Sequence, residues 1–401
     1  MAVTRHALIS GAGIAGPAAA HQLAQRGWRT TVVERHPQRR DEGQNVDIRG
    51  AAREVVRRMG IDGDVRAANT GEIGTRFVRA DGSAAASFPV GEPGGTDGPT
   101  AELEILRGEL SRILIDRTAT DTDYLFDRRI ADLADRGSHV TTVLDDGTEL
   151  DTDLVIIAEG LHSRSRRFVT AAEVQPLGMY FAYVTLPRIG TDDRWWTWQH
   201  VTRSRAVHLR PDNLGTTRAV LTFMADVRGL ETLTRDDQIA ILQRTFADVG
   251  GAAPRIIDEL RDGAPMYFSA VGQVHPSRWS SGRVTLLGDA AFCNATFGGA
   301  GTSLALIGAY ILAGEISAGA DVGVALDRYQ RAMQPFVQTA PRVRERTLRM
   351  ANPRSAVGIR LLHTGARLAA SPVGRAVTAA AGRGVGDIAG ARVPLPDYGS
   401  S

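Results

Sequence analysis

The stretch GDAAFCNATFGGAG, residues 288–301, places the chain's single cysteine beside a run of glycines. A lone cysteine suggests a nucleophile, whereas a glycine-rich turn before a helix suggests a phosphate-binding loop. The sequence gives Cys293 no obvious histidine partner, so we interpret it as a packed residue. The glycines gain meaning from a second glycine-rich loop, roughly 270 residues earlier in the chain.

That earlier loop, GAGIAG at residues 11–16, fits the pattern G-x-G-x-x-G. The apolar run at 6–10 before it predicts a buried strand, and the alanine-rich run at 17–26 after it predicts a helix. Residues 30–34 predict a second strand. A strand, a glycine loop, a helix and a strand within about 30 residues form a βαβ unit, which indicates a nucleotide site.

Each of the three glycines of the G-x-G-x-x-G pattern has a physical role in such a site. We expect Gly11 to permit the tight turn, Gly13 to admit a pyrophosphate, and Gly16 to allow close packing of helix on sheet. Glu34 ends the second strand, where its carboxylate can accept hydrogen bonds from ribose hydroxyls. These features predict a dinucleotide but leave FAD and NAD unseparated.

Composition excludes several classes of function. The formal net charge of +2 gives no field to attract nucleic acid or anionic lipid, so we expect neither partner. The start lacks a signal-peptide pattern, the longest apolar run (303–314) is too short to cross a membrane, and one cysteine suits a reducing compartment. We therefore expect a cytoplasmic protein, and the histidine spacing predicts no metal site.

The remaining pattern predicts an α/β chain with a second sheet beside the βαβ unit. Strands are expected at 73–88, 179–186, 195–200, 206–210 and 219–224, in a separate antiparallel sheet, with a hairpin at 140–151 and buried strands at 153–158 and 283–287. Helices are expected at 49–59, 103–117, 302–317 and 324–347.

Over residues 5–345 the sequence resembles the group A flavoprotein monooxygenases, the aromatic-hydroxylase family. The resemblance rests on five stretches: GAGIAG with Glu34, GQNVDIRG with Asp47, LEILRGELSRIL with Arg107, GDAAFCNATFGGAG with Asp289, and DLVIIAEGLHSRSRR. It implies an FAD cofactor held by Gly11, Ala12, Gly13, Ile14, Ala15, Gly16, Glu34, Arg35, Asp47, Arg107, Asp289, Gly299, Ala300, Gly301 and Thr302. The start of the helix near Thr302 would direct its positive end at the flavin.

The fold that the resemblance implies is a Rossmann-like FAD-binding domain with a mixed sheet, interleaved with an antiparallel substrate sheet and followed by a long C-terminal helix. We expect the FAD-binding domain at 1–70, 100–175 and 275–325, the substrate domain at 71–99 and 176–274, and a helical region at 326–401.

Two positions bear on the reductant. The family's A-D-G fingerprint is A-E-G here, so Glu159 puts the detail of NADPH contact in doubt. Arg40 falls where the tetracycline-inactivating members have an arginine implicated in NADPH binding, although a solvated arginine is equally consistent with its charged surroundings.

The resemblance implies that NADPH or NADH reduces FAD and leaves, after which O₂ adds at the flavin C4a to give a hydroperoxide that transfers oxygen. We expect hydroxylation of a bulky aromatic or polyketide-like small molecule. Baeyer–Villiger insertion, epoxidation, oxidation without O₂, and a binding module without turnover stay open. The sequence does not separate a monomer from a homodimer.

Aromatic side chains on the expected antiparallel sheet are candidates for the substrate wall. The strand RWWTWQH alternates, so Trp196, Trp198 and His200 share one face. Tyr183, Trp198 and His200 are the substrate candidates, and Tyr183 or His200 could assist deprotonation of a phenol. Ordinary sheet packing is the competing interpretation for each.

Overall fold

The computed structural model describes residues 4–39, 43–91, 100–295, 299–319, 321–340, 343–371 and 393–399. The strands in this part of the chain are β1 (His6–Ser10), β2 (Arg29–Glu34), β3 (Asn45–Asp47), β4 (Gly74–Val78), β5 (Ala84–Pro89), β6 (Glu104–Leu106), β7 (Thr122–Phe126), β8 (Ile130–Asp135), β9 (Val140–Leu144), β10 (Glu149–Thr152), β11 (Leu154–Ile157), β12 (Gln175–Pro187), β13 (Trp196–Val201), β14 (Arg205–Pro211), β15 (Thr216–Met224), β16 (Met266–Gln273), β17 (Ser280–Ser281) and β18 (Val284–Leu286).

The helices in the same residues are α1 (Ala15–Ala24), α2 (Ala51–Arg58), α3 (Asp62–Ala67), α4 (Arg107–Thr118), α5 (Arg235–Phe246), α6 (Ala253–Arg261), α7 (Asp289–Phe292), α8 (Gly301–Ser317), α9 (Val322–Thr339), α10 (Glu345–Ala351) and α11 (Ala356–Ala370).

A mainly parallel sheet organises the nucleotide-binding half. Its order is β17-β18-β11-β1-β2-β7, and only β17 runs antiparallel to its neighbour. The strands β1, β2 and β11 are almost wholly buried because helices cover the sheet. Helix α1 is buried along nearly its whole length beside α8, which explains why half of its ten residues are alanine.

A second sheet forms the substrate side, in the order β16-β12-β15-β14-β13-β4-β5. All its pairs are antiparallel except β13 with β4, which the sequence did not predict. One face packs on α5 and α6 through an apolar core that includes Tyr180, Leu221 and Phe246. The opposite face is therefore free to turn toward the nucleotide-binding half.

The α/β fold class and the interleaving of two sheets are confirmed, and three element predictions need correction. Residues 73–88 form the hairpin of β4 and β5 rather than one strand, because a tight turn with Gly82 at φ +80° reverses the chain. The helix expected at 103–117 begins only at Arg107, since Glu104–Leu106 pairs with β3. The helix expected at 324–347 ends at Thr339, and α10 follows separately.

Two features that would indicate other functions, a membrane-spanning helix and a metal-binding cluster, are absent from the described residues. No helix in these residues is long and apolar enough to cross a membrane. The same residues hold no group of three or more histidine, cysteine, aspartate or glutamate side chains that could bind a metal ion. The predicted domain boundaries stay predictions, as does the expected location in the cytoplasm.

Candidate active site

A cavity of about 530 Å³ lies between the two sheets, within the size range of ligand sites. It reaches from the first glycine loop, past Arg107, to the glycine loop before α8. The predicted site residues that line it are Gly11, Ala12, Gly13, Ile14, Ala15, Glu34, Arg35, Asp47, Arg107, Glu159, Tyr183, Asp289, Gly299, Gly301 and Thr302. Two loops that are far apart in sequence thus border one space.

The first glycine loop is shaped by contacts that leave no room for side chains. A Cβ on Gly16 would lie 1.9 Å from the carbonyl oxygen of Gly11, and one on Gly11 would lie 2.5 Å from that of Ala158. Gly11 also has φ +110°, which other residues rarely adopt. Gly16 itself does not line the cavity; it lets α1 start directly against β1.

Glu34 stands at the end of β2 beside this loop. Its carboxylate accepts hydrogen bonds from the backbone N–H groups of Ala12 (2.8 Å) and His36 (3.0 Å). Each carboxylate oxygen has lone pairs beyond these bonds, so Glu34 can also accept from a bound ribose. The acid and the glycine loop are therefore held in fixed relation.

The second glycine loop brings a helix N-terminus to the cavity. Gly299, Gly301 and Thr302 line the cavity, and Gly301 begins the seventeen-residue helix α8. Ala300 is the buried residue before the helix and lies outside the lining, so its predicted contact with the cofactor stays a prediction. The unpaired N–H groups of this helix end favour negative charge in the space before them.

Asp289 is the first residue of α7 and lies half-buried in the wall of the cavity. Burial raises the pKa of the Asp289 carboxyl, while Arg107 across the cavity acts to lower it. The neighbouring Cys293 is buried, and its burial and Asp289 raise the thiol's pKa, so it stays protonated. The interpretation of Cys293 as a packed residue is confirmed by this burial.

Glu159 serves the protein's own backbone and hydroxyl groups. Its carboxylate accepts from the hydroxyls of Ser10 (2.6 Å), Ser165 (2.6 Å) and Ser163 (2.8 Å), and from the Ser165 N–H (3.0 Å). Burial acts to raise the pKa of Glu159, but these hydrogen bonds lower it overall. This geometry joins the loop after β11 to the end of β1. It gives no support to a direct NADPH contact, and Arg40, the other candidate, lies outside the described residues.

The substrate side of the cavity is one row of residues across the second sheet. Tyr183 pairs with Val220 and Val220 pairs with His208, so their side chains project from the same face, and all three line the cavity. Burial raises the pKa of Tyr183, which keeps its hydroxyl protonated. Burial, with His200 and Arg210, lowers the pKa of His208 to about 3, so its imidazole is neutral.

His200 and Trp198, the other two substrate candidates, stay predictions. They project from the expected face of β13, but neither is among the cavity-lining residues in the described part of the chain. Trp198 pairs with His208, in the row of Tyr183 and Val220, and His200 lies in the next row, opposite Ala206, whereas Trp196 of the same strand does line the cavity. His200 instead contacts His363 of α11, with 3.2 Å between Nδ1 and Nε2. The alternating pattern gives the face of β13 from which each side chain projects, but it does not tell which residues of that face line the cavity.

A buried charged cluster that was not predicted from the sequence consists of Arg210, Glu72 and Glu104. We call it the Arg210 cluster. Arg210 lines the cavity and donates to Glu72 (2.9 Å) and Glu104 (2.6 Å), while its guanidinium stacks over Trp196 at 3.8 Å. All three charged residues are less than 9% exposed. The signal was the strand AVHLRP, whose polar residues alternate with apolar ones and so face one side.

Asp47, the last residue of β3, lies in the wall of the cavity. Its carboxylate accepts from Arg49 at 2.8 Å, and burial raises its pKa against the effect of that arginine. Within the described residues its Oδ1 has no hydrogen-bond partner. A buried, unsatisfied carboxylate oxygen at a cavity wall fits the position of a ligand donor group.

With this geometry established, comparison with known proteins identifies the family. Residues 4–343 match the family described as FAD binding domain. The chain belongs to this FAD-binding family. A flavin-dependent monooxygenase of Phoma sp is 36% identical over 392 residues, which cover 90% of this chain and 91% of that protein.

Solved structures agree with this assignment. The crystal structure of the tetracycline destructase Tet(51) has a TM-score of 0.79 and 28% identity, with all of both chains covered. Klebsiella pneumoniae HpxO, solved with FAD and uric acid, has a TM-score of 0.75 over 94% of this chain and 96% of that one. At 20% identity, HpxO shows the fold alone.

The family and these relatives identify the chain as an FAD-dependent monooxygenase. The resemblance to group A flavoprotein monooxygenases is thereby confirmed. The cavity fits FAD in its two glycine loops, in Glu34 and in the helix end at Gly301. Which side chains touch FAD stays a prediction.

Proposed function

We propose that this enzyme uses NADPH or NADH to insert one oxygen atom of O₂ into a bulky, planar aromatic or polyketide-like small molecule, by hydroxylation. The observation that carries the proposal is the single cavity that joins the nucleotide loops to the wall of Tyr183, Val220 and His208. Bound FAD would supply the redox and oxygen-transfer chemistry.

We assign the chain's own residues to binding and orientation. The loop at 11–15 and Glu34 would hold the adenosine and pyrophosphate end, while Gly299, Gly301 and Thr302 would face the flavin ring. Arg107 and Asp289 would contact FAD between these ends. Tyr183, protonated because burial raises its pKa, would donate a hydrogen bond to a substrate oxygen.

Support for a dinucleotide reductant comes from the arginines around the cavity. Besides Arg107 and Arg210, six arginines line it, and the carboxylates that line it are four: Glu34, Asp47, Glu159 and Asp289. Two of the six arginines pair with aspartates outside the lining, Arg128 with Asp146 at 2.6 Å and Arg129 with Asp145 at 2.8 Å. Excess arginine favours phosphate groups, because guanidinium binds phosphate oxygens in pairs. The six are Arg35, Arg39, Arg128, Arg129, Arg164 and Arg167.

The test is oxygen transfer from labelled O₂. The FAD-loaded enzyme is supplied with NADPH, oxygen-18 gas and a panel of hydroxylated polycyclic aromatics. Mass spectrometry then measures the masses of the products. We expect faster NADPH oxidation with at least one compound, and one labelled oxygen atom in its product. NADPH oxidation that yields only hydrogen peroxide for every compound, or label drawn from water, would contradict hydroxylation by this enzyme.

A further inference from the structure

The Arg210 cluster carries an unequal number of charges in a buried place. One guanidinium faces two carboxylates, and the nearby Asp47 is already paired with Arg49. With every group ionised, the substrate end of the cavity would hold one uncompensated negative charge. Such a charge is costly to bury, so the cluster has reason to take up one proton.

Hydrogen-bond partners decide which carboxyl holds that proton. Glu104 accepts from the Asn45 amide (2.7 Å), the Thr70 hydroxyl (2.6 Å) and Arg210 (2.6 Å). The Asn45 nitrogen also donates to a backbone carbonyl at 3.0 Å, which fixes the amide's orientation. Glu104 therefore faces donors and is best satisfied as an anion.

Glu72 has a partner that can reverse its role. Its Oε2 accepts from Arg210 Nε, while its Oε1 lies 2.6 Å from the Thr100 hydroxyl. That hydroxyl lies 3.0 Å from the Thr75 hydroxyl, and either of the two can be the donor. A protonated Glu72 can thus donate to Thr100, which in turn donates to Thr75, without loss of a hydrogen bond.

Resting on the proposed function, we infer that a proton on Glu72 makes the Arg210 cluster electrically neutral, so that the site selects uncharged aromatic substrates over aromatic carboxylates. Arg210 Nη1, which no described residue accepts from, would donate to a carbonyl or hydroxyl oxygen of the substrate. A substrate carboxylate would bring in a negative charge, whereas the Arg210 charge is already balanced by Glu104.

The electrostatic surroundings of Glu72 agree with this geometry. Burial and then the neighbouring Glu104 raise the pKa of Glu72 to about 8, against the effect of Arg210. The other titratable groups around the cluster do not supply a positive charge: Tyr183 and His208 are neutral, and Asp47 is offset by Arg49. Above about pH 8 the cluster should become negative and reject a carboxylate more strongly.

The experiment uses two probes that share one ring system and differ in charge, 2-naphthoate and methyl 2-naphthoate, neither of which has a hydroxyl that titrates. Binding to the FAD-loaded enzyme is followed by equilibrium dialysis at pH 7 and pH 9. We expect the ester to bind at least about tenfold more tightly than the acid at pH 7, and the ratio to widen at pH 9. Equal affinity of the two probes at both values would overturn the inference.

The variant Glu72→Gln copies the protonated acid. It should match the wild type at pH 7 and lose the widening of the ratio at pH 9, whereas a purely structural role would disturb both pH values alike. A Glu72→Gln ratio that still widens as in the wild type would overturn the assignment to this residue. Glu102→Gln is the matched control, because Glu102 lies two residues from Glu104 in ion pairs with Arg53 and Arg66 outside the cavity lining.

Infrared spectra provide a readout independent of any ligand. At pH 7 the wild type should show a protonated carboxylic acid band that Glu72→Gln lacks, and absence of that difference would overturn the proton assignment. If neither probe binds, the inference fails because it requires an aromatic guest. Labelled oxygen transfer to other aromatics would then leave the proposed function standing, whereas no transfer to any aromatic would remove that function as well.

Discussion

Gly16 illustrates how single residues set the geometry of the nucleotide loop. A Cβ atom at this position would project into the Gly11 carbonyl group, so the loop can close only if residue 16 has no side chain. The sequence motif contains this information, because the pattern of glycines is local. The Arg210 cluster behaves differently, since Glu72 and Glu104 lie 138 and 106 residues from Arg210 in the sequence and only the fold brings them together.

We predict that Gly16→Ala destabilises the fold and weakens FAD binding. The added methyl group would lie 1.9 Å from backbone, which cannot yield as a flexible side chain would. The expected loss in free energy of unfolding is about 3 kcal/mol or more, measured by urea titration. Gly190→Ala is the control, because its Cβ would meet nothing within 4 Å. Equal stability of the two variants would refute the close-packing account.

At the scale of elements, sequence predicted the βαβ unit and the β9–β10 hairpin, because their signals are local periodicity and turn residues. It failed at β6. The run LEIL is apolar enough to extend the helix that follows, and only pairing with β3 makes it a strand. That pairing carries Glu104 toward Arg210, so the error in the element concealed part of the site.

Helix α11 depends on a histidine contact for its position. His363 is its buried side chain, and it meets His200 of β13. Burial, followed by the positive charge of His363, lowers the pKa of His200 to about 4, and burial lowers that of His363. Arg79 and Arg367 face His363, and His208 lies near His200, so the charged neighbours of this pair among the described residues oppose an added proton.

We therefore predict that acid destabilises this contact. Because the folded pKa of His200 lies below the unfolded value of 6.5, its stabilising contribution is present above pH 6.5 and is lost as the pH falls toward 4. The loss is about 3 kcal/mol, from 1.36 kcal/mol per pKa unit. Urea unfolding of the wild type and His200→Phe between pH 7 and 4.5 measures it. A wild-type pH slope no steeper than the variant's would contradict the assignment.

At the scale of the whole molecule, two sheets enclose one cavity and tie it together at several points. The Ser303 hydroxyl of α8 accepts from the Arg49 N–H at 2.9 Å, next to Asp47. The Arg210 cluster joins β14 of the second sheet to β6 of the first half. Both glycine loops and the substrate wall therefore share one framework, and a ligand that spans the cavity would stabilise all of it.

The most direct test of this account is the FAD content of the purified chain. Protein freed of unbound flavin by gel filtration is denatured, and the released FAD is quantified by absorbance and chromatography. We predict one FAD per chain, lost in Asp289→Ala and retained in the exposed control Asp262→Ala. A wild-type chain that stays colourless after incubation with FAD, or full occupancy in Asp289→Ala, would contradict the central claim that FAD lies between the two glycine loops.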